Sequence, residues 1–279
     1  MTGQGPDKSV GREPHPALRG LVTPYQGYHY AGMPAGVHHG LPSTELTVVI
    51  AFDEPIDVAW QSDPASRGRH WAMASGLHTR PALIRHSGFQ YGIQLGLTPL
   101  GARLLLGLPA GGLAANMLPL EDLVGPIAGR LYDELAGAAT WDERFHALDR
   151  HLVALTGRRD RRAPIRDELL WAWDRLEHTS GAVRMDLLAE EVGWSRRHLS
   201  AQFSGEFGLP PKQVARLLRF QRARSLLAPG TAGLADVAAR CGYADQAHLT
   251  RDWHELSGYT PTQWRREELP FLQDTDAPG

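Results

Sequence analysis

A helix, a tight turn and a second helix are predicted twice between Met185 and Arg265, and this repeat constrains the fold more than any other feature. In each copy a small residue, Ala189 or Ala238, stands where two helices would touch. A glycine, Gly193 or Gly242, stands where the chain must turn. Glycine suits such a turn because it adopts positive φ at the end of a helix without a steric penalty. The pattern predicts two compact helix pairs.

The second helix of each copy is predicted to be capped and to bury one face. Ser195 and Asp245 follow the glycines, and their side-chain oxygens can accept from unpaired backbone N–H groups. Apolar residues then recur at spacings of three or four, which predicts a buried stripe. The stripes are Leu199, Phe203 and Phe207 in the first copy, and Leu249, Trp253 and Leu256 in the second. We predict helix-turn-helix motifs over Arg184 to Gly205 and Ala232 to Glu255.

A third helix is predicted between the two copies. Pro210 and Pro211 stand at its start, where proline is tolerated best, and Pro229-Gly230 ends it. A helix of about 18 residues is about 27 Å long. Successive major-groove faces of B-DNA recur about 34 Å apart. The width of the two helix pairs adds to the length of this helix. The linking helix can therefore place the second helix of each pair in adjacent grooves of DNA.

Taken together, these residues resemble the C-terminal domain of AraC/XylS-type transcription regulators, in which a linker helix joins two helix-turn-helix units. The resemblance covers Pro164 to Glu268, and its most specific part runs from Asp236 to Arg251 and from Gly258 to Arg265. It implies a regulator that binds double-stranded promoter DNA and acts on RNA polymerase. The expected fold class is α+β, with an all-α C-terminal domain after a strand-rich N-terminal domain and a helical hairpin.

The resemblance also assigns DNA-contacting positions. Arg197 and Arg251 are the strongest candidates for base contacts because a guanidinium can donate two hydrogen bonds to guanine, and Gln246 can pair with adenine. The full set of expected base contacts is Arg196, Arg197, Ser200, Gln246, His248, Thr250 and Arg251. The expected phosphate contacts, which set register without reading sequence, are Ser195, Lys212, Arg219 and Thr260. The alternative for each is a solvent-exposed side chain without a DNA contact.

Charge is distributed unevenly along the chain. Residues 158–268 carry 18 Lys and Arg against 15 Asp and Glu, whereas residues 1–157 carry 11 against 14. Non-specific DNA affinity is therefore expected to be modest and sensitive to salt. The single cysteine, Cys241, excludes an internal disulfide and fits a reducing cytoplasm, and we expect it to be a packed small side chain. The opening residues lack the apolar core of a signal peptide or membrane span.

Five segments are predicted. Residues 1–16 form a disordered tail, 17–157 an effector-binding or dimerisation domain, 158–164 a linker, 165–268 the DNA-binding domain and 269–279 a tail. Phe89 to Leu97 alternates apolar and polar residues, as a half-buried strand does, and Thr44 to Phe52 and Ala102 to Leu106 are also predicted strands. Helices are expected over 118–157. Whether the strands close into a barrel stays open.

Aromatic and basic residues suggest an effector pocket in the N-terminal domain. The candidates are His39, Trp60, Trp71, Arg80 and Tyr91, although core packing is the simpler reading for each. No histidine pair has the spacing of a metal site, and no cofactor or metal is predicted. A Gly-x-Ser-x-Gly nucleophile turn is absent and the only cysteine lies in the second motif, so an enzyme is not predicted.

The sequence therefore predicts a cytoplasmic, sequence-specific transcription regulator without a membrane segment. Its N-terminal domain either senses a small effector or mediates homodimerisation. The alternative is a DNA-binding regulator controlled by a protein partner or by its own abundance, with no small-molecule ligand.

Overall fold

The computed structural model of the protein describes residues 8–157 and 165–267. Its strands are β1 (Lys8–Arg12), β2 (Tyr25–Tyr30), β3 (Gly36–Gly40), β4 (Leu46–Ala51), β5 (Ile56–Trp60), β6 (Asp63–His70), β7 (Ala72–Ser75), β8 (Ala82–His86), β9 (Gln90–Leu97) and β10 (Met117–Pro119). They form a six-stranded sheet in the order β1-β2-β9-β4-β7-β10 and a four-stranded sheet in the order β3-β8-β5-β6. The described strands are thus hydrogen-bonded as two sheets, not as one closed sheet.

Strand β4 lies inside the six-stranded sheet and is buried on both faces. Val48 and Ile50 belong to the large core under the helices, whereas Val49 packs with Trp60 and Met73 in a smaller core that includes the four-stranded sheet. Successive side chains of a strand point to opposite faces. Because both faces are covered, the segment is almost continuously apolar and does not alternate.

The helices of the N-terminal region follow β9. They are α1 (Pro99–Gly101), α2 (Leu120–Val124), α3 (Ile127–Gly137) and α4 (Trp141–Thr156). Helices α3 and α4 pack against each other. Thr140 caps α4 by accepting from the Glu143 N–H, while the Glu143 carboxylate accepts from the Thr140 N–H. This capping box fixes where α4 begins.

Two expectations about the N-terminal region are wrong. Residues 8–16 are not a disordered tail, because β1 pairs with β2, and the His15 N–H and the Arg12 guanidinium both donate to Asp149 on α4. Asp149 lies 134 positions from His15 in the sequence, so no local pattern reveals these bonds to α4. The rest of that predicted tail, residues 1–7, lies outside the described residues.

The second correction concerns Ala102 to Leu106, which is a π-helical turn and not a strand. Thr98 caps the preceding helical turn with its hydroxyl, and Pro99 occupies the first helical position. Ala102, Leu105 and Leu106 are the buried residues of this turn. A short apolar run suits a buried helix as well as a strand, and periodicity alone does not separate them.

The C-terminal region is all-α, so the predicted α+β organisation is confirmed. Its helices are α5 (Asp167–His178), α6 (Met185–Glu191), α7 (Arg196–Phe207), α8 (Pro211–Leu227), α9 (Leu234–Arg240), α10 (Gln246–Ser257) and α11 (Pro261–Glu267). The predicted linker 158–164 and the predicted tail 269–279 lie outside the described residues. Among the helices described, none is long and apolar enough to cross a membrane.

Helix α8 contributes to two cores. Val214 and Ala215 join the large core, which contains the buried residues of α6 and α7, whereas Leu217 and Phe220 join a second core with α9, α10 and α11. Cys241 is also packed in this second core, as predicted, and burial raises the pKa of its thiol. The two helix-turn-helix units are therefore held by one shared helix.

Trp253 is the central side chain of the second core. It is fully buried, and its ring lies 4.9 Å from that of Phe220 and 5.2 Å from that of Trp264. We expect Trp253→Ala to lower the free energy of unfolding by about 3–5 kcal/mol, since it removes a large side chain and leaves a cavity. Urea unfolding monitored by circular dichroism measures this. Trp171→Ala, at a tryptophan that is 43% exposed, is the control and should cost under about 1 kcal/mol. Equal losses in both variants would contradict this account of the core.

Candidate nucleic-acid interface

The turn in each helix-turn-helix unit has the predicted geometry. Gly193 and Gly242 adopt φ values of +70° and +74°, in the left-handed region that favours glycine. The Ser195 hydroxyl accepts from the His198 N–H at 3.2 Å, and the Asp245 carboxylate accepts from the His248 N–H at 2.6 Å. These caps start α7 and α10 immediately after the turns, as the sequence predicts.

Each second helix buries its apolar stripe and leaves a polar face exposed. Leu199 and Phe203 on α7, and Leu249 and Trp253 on α10, are buried. The exposed members of the predicted base-contact set are Arg196, Arg197, Gln246 and Arg251, and the half-buried members are Ser200, His248 and Thr250. The structure therefore places all seven on helices whose opposite faces are packed.

The two strongest candidates for base contacts, Arg197 and Arg251, form no ion pair in the part of the chain that the structure describes. Arg196 forms an ion pair with Asp186 at 2.8 Å, whereas neither Arg197 nor Arg251 forms one within the described residues. A guanidinium without an intramolecular partner keeps all its donors for another acceptor. The base-contact assignment of Arg197 and Arg251 stays a prediction.

His248 has a role inside the turn. Its Nδ1 accepts from the Ala244 N–H at 3.3 Å, and its ring lies edge-on to Tyr243 at 5.2 Å. When Nδ1 accepts, Nε2 carries the proton of the neutral ring. His248 therefore stabilises the turn and has Nε2–H as its remaining donor.

The residues predicted to contact phosphate differ in how far contacts within the protein already engage their side chains. Lys212 is exposed at the start of α8, whereas the hydroxyls of Ser195 and Thr260 cap α7 and α11. Arg219 is half-buried, donates to the Gly181 carbonyl at 3.1 Å and lies over the Tyr243 ring. Its main contacts here are within the protein. The phosphate roles of these four residues stay predictions.

Acidic residues of α10 are neutralised on the face away from the predicted DNA contacts. Arg216 of α8 pairs with Asp252 and with Glu255, and the Tyr243 hydroxyl donates to Asp252 at 3.2 Å. Burial, followed by the charge of Asp252, raises the pKa of Tyr243. This network links α8 and α10 with the turn that follows α9, and it pairs the two carboxylates with a cation.

Contacts between the N-terminal region and the DNA-binding units were not predicted from the sequence. Arg103 forms a two-point ion pair with Glu206 of α7, at 2.6 Å and 2.5 Å. His39 Nδ1 lies 2.7 Å from the Ser257 carbonyl oxygen, and its ring stacks on Tyr259 at 4.3 Å. Isolated charged residues more than a hundred positions apart carry no sequence signal for pairing. Both helix-turn-helix units are therefore in contact with the N-terminal region.

The five candidate effector residues occupy separate environments. His39 contacts the second helix-turn-helix unit, Trp60 packs on His78 between the sheets, and Arg80 is exposed. Trp71 is exposed and touches Tyr132, while Tyr91 packs against Phe52 and Trp141. Only Trp71 and Tyr91 share a neighbourhood, through the rings of Phe52 and Tyr132. The structure does not gather the five into one pocket.

Two histidines of the N-terminal region are neutral at physiological pH. Burial lowers the pKa of His38 to about 4, with the charges of His86 and His39 adding to the effect, and burial lowers the pKa of His78 to about 4. They therefore supply no cation to a ligand. Within the described residues, no group of three or more His, Cys, Asp or Glu side chains is arranged to hold a metal ion.

An apolar cavity of about 30 Å³ lies between the six-stranded sheet and helices α2 to α4. Its lining, from Val48 and Leu95 on strands to Leu131 and Leu148 on helices, is entirely apolar. A ligand pocket is usually about 300–1,000 Å³. In this arrangement the cavity has room for about one water-sized molecule.

Comparison with known proteins gives three findings. A family model described as a helix-turn-helix domain matches residues 188–267. The HTH-type transcriptional activator RhaS of Shigella boydii serotype 18 is 33% identical over 105 residues, which are 38% of this chain and 37% of that protein. The crystal structure of unsaturated fatty acid bound ToxT from Vibrio cholerae aligns over 91% of this chain and 96% of that chain, with a TM-score of 0.54 and 11% identity.

The comparisons cover different parts of the chain. The match to RhaS spans just over a third of that relative's length, so it concerns the C-terminal part alone. The likeness to ToxT extends over both regions but, at 11% identity, shows the fold only. Together with the paired helix-turn-helix geometry, these findings show that the C-terminal part of this chain contains a helix-turn-helix domain similar to that of RhaS.

Proposed function

We propose that this protein is a sequence-specific transcription regulator that reads promoter DNA with α7 and α10. The observation that carries the proposal is the pair of capped helices, each packed by its apolar stripe, with Arg197 and Arg251 exposed and without ion-pair partners within the described residues. Guanidinium groups on a reading helix suit bidentate contacts to guanine. No catalytic step, cofactor or membrane contact is part of the proposal.

The N-terminal region is proposed to control how the reading helices are presented, either as an effector sensor or as a homodimerisation domain. Arg103 and His39 supply the physical connection, since they contact α7 and the end of α10 directly. A ligand or partner shifts the equilibrium only by its differential affinity for the two arrangements. RNA polymerase contact and a cytoplasmic location also stay predictions.

The volume of the apolar cavity limits which molecules it can hold. ToxT was solved with an unsaturated fatty acid. A cavity of about 30 Å³ does not admit an alkyl chain unless α2 to α4 move away from the sheet. Control by a protein partner, or by abundance alone, remains the alternative. Leu170 and Trp171 on α5 and Leu187 on α6 are exposed apolar side chains, which favours that alternative.

The base-reading role of Arg251 is directly testable. Arg251→Ala should relax preference at one base position and weaken binding to the cognate site by about 1–3 kcal/mol. Selection from a random DNA pool gives the preferred site, and fluorescence anisotropy gives the affinity. Arg240→Ala removes an exposed charge on α9 and should leave the selected sequence unchanged. An unaltered selected sequence for Arg251→Ala would remove this assignment.

Two adjacent grooves should be protected by one full-length chain. We expect the shared helix α8 to hold α7 and α10 so that they enter successive major-groove faces, which are about 34 Å apart. Hydroxyl-radical footprinting should show two protected patches per bound chain. We expect Arg197→Ala to weaken one patch and Arg251→Ala the other. Protection of a single groove would mean that one unit only supports the other.

Removal of the Arg103–Glu206 ion pair tests whether contact with the N-terminal region affects DNA affinity. Glu206 is 8% exposed, so Arg103→Ala leaves a nearly buried carboxylate unpaired and should cost roughly 2–3 kcal/mol of stability. We also expect DNA affinity to change, measured by anisotropy at a temperature where the variant is folded. Arg130→Ala, at an exposed arginine of α3, is the control. A change in stability with unchanged DNA affinity would show that the pair is only structural.

A further inference from the structure

Arg144 is a buried cation in the first turns of α4. It is 7% exposed, and its guanidinium carbon lies 5.4 Å from the ring centres of Phe52 and Tyr91 and 5.3 Å from that of Trp141. Aromatic faces attract a cation. Removing a guanidinium from water is unfavourable unless its remaining donors are also satisfied. The three rings supply no carboxylate for those donors.

Within the described residues no carboxylate forms an ion pair with this guanidinium, although its charge acts on that of Glu143. The Arg144 side chain forms no hydrogen bond there, and its Nε is buried without a partner. The neighbouring carboxylates of α4 are already engaged, because Arg12 pairs with Asp142 at 3.1 Å and with Asp149 at 3.4 Å. The more exposed Arg12 thus has two ion-pair partners, whereas the buried Arg144 has none among the described residues.

We propose that Arg144 is the anchor of a binding site for a small organic monocarboxylate. A guanidinium is planar and binds a carboxylate with two parallel hydrogen bonds. Phe52, Tyr91 and Trp141 form the apolar wall against which the body of such a molecule packs. Bound there, the ligand would bridge the sheet, through Phe52 and Tyr91, to α4.

A chain of aromatic rings connects this site with the surface. Trp71 is 46% exposed and lies edge-on to Tyr132 at 5.9 Å, and Tyr132 lies 6.4 Å from Phe52. Asp53 is exposed beside these rings, where its charge acts on Tyr91 and Tyr132. A negative charge at the rim disfavours a dianion more than a monoanion. The geometry therefore suits a carboxylate with an apolar body better than a phosphate.

This site deepens the proposed function. Only its role in regulation rests on that function, whereas carboxylate binding itself does not. Carboxylate binding is measurable without DNA, and DNA binding is measurable without a carboxylate. If the wild-type protein binds DNA but no carboxylate, only the ligand site is overturned. Failure of DNA binding by the wild-type protein overturns the proposed function and leaves the ligand site standing.

Calorimetric titration of the full-length protein with phenylpropionate tests the site. The neutral phenylpropionamide and inorganic phosphate are the comparison probes. We expect phenylpropionate to bind and to raise the thermal midpoint, as a ligand of the folded state must. The amide and phosphate should bind at least about tenfold more weakly, because the charge-assisted pair is lost in one and the rim charge opposes the other.

Arg144→Gln should weaken phenylpropionate binding at least about tenfold. Arg150→Gln, at an exposed arginine on the same helix, should leave it unchanged. Binding of the amide as tightly as the acid, equal binding by Arg144→Gln, or no binding by the wild type would each overturn the proposal. Tighter binding of phosphate would overturn the assignment to monocarboxylates.

A second measurement covers the case in which Arg144→Gln does not fold. The arginine Nε–H resonances of the wild-type protein are recorded by NMR, and the Arg144 signal is identified from its absence in Arg144→Lys. A hydrogen bond to a carboxylate should shift that signal on addition of phenylpropionate, while the Arg150 signal stays in place. An Arg144 signal that does not move at saturating ligand would refute the anchor role.

Discussion

The structure of the helix-turn-helix part depends on the burial of α8 from two sides. Val214 and Ala215 are buried in one core, and Leu217, Phe220 and Leu227 in another. Because protein interiors are close-packed, neither unit can slide along α8 without losing contacts. This constraint sets the separation of α7 and α10. The network of Arg216, Asp252 and Tyr243 then holds α10 in one orientation on α8.

Because α8 fixes the separation of the two helix-turn-helix units, the contacts of the N-terminal region bear on the position of both units. Arg103 holds α7 through Glu206, and His39 contacts the end of α10, so the N-terminal region is joined to both units at the ends away from the caps. A change in the sheet or in α4 thus has a direct route to the reading helices. Coupling of this kind requires two arrangements whose balance a ligand or partner alters. Arg144, buried without an ion-pair partner among the described residues, is where we propose that such a ligand binds.

The helix-turn-helix units were predictable because their determinants are local. Gly193, Gly242, Ser195 and Asp245 act on backbone within four residues, and the apolar stripes repeat with the period of the helix. Strand β1 was missed because the segment that holds the following residues in place, α4, is distant in the sequence. The turn at Ala102 to Leu106 was misassigned because a buried apolar run has no diagnostic period. The proposed effector set failed to converge because residue type alone carries no information about which strand or sheet face a side chain shares.

By itself, the sequence determined the two reading helices, their caps and the order of a strand-rich region before an all-α region, because hydrophobic period, glycine and capping residues act over a few positions. Only the tertiary structure decided that the described strands form two sheets, that Arg103 and His39 join the two regions, and that Arg144 is buried without an ion-pair partner in the described part of the chain. These features depend on which distant segments pack together. That choice is made by the burial of apolar surface in the whole chain, and no local pattern records it.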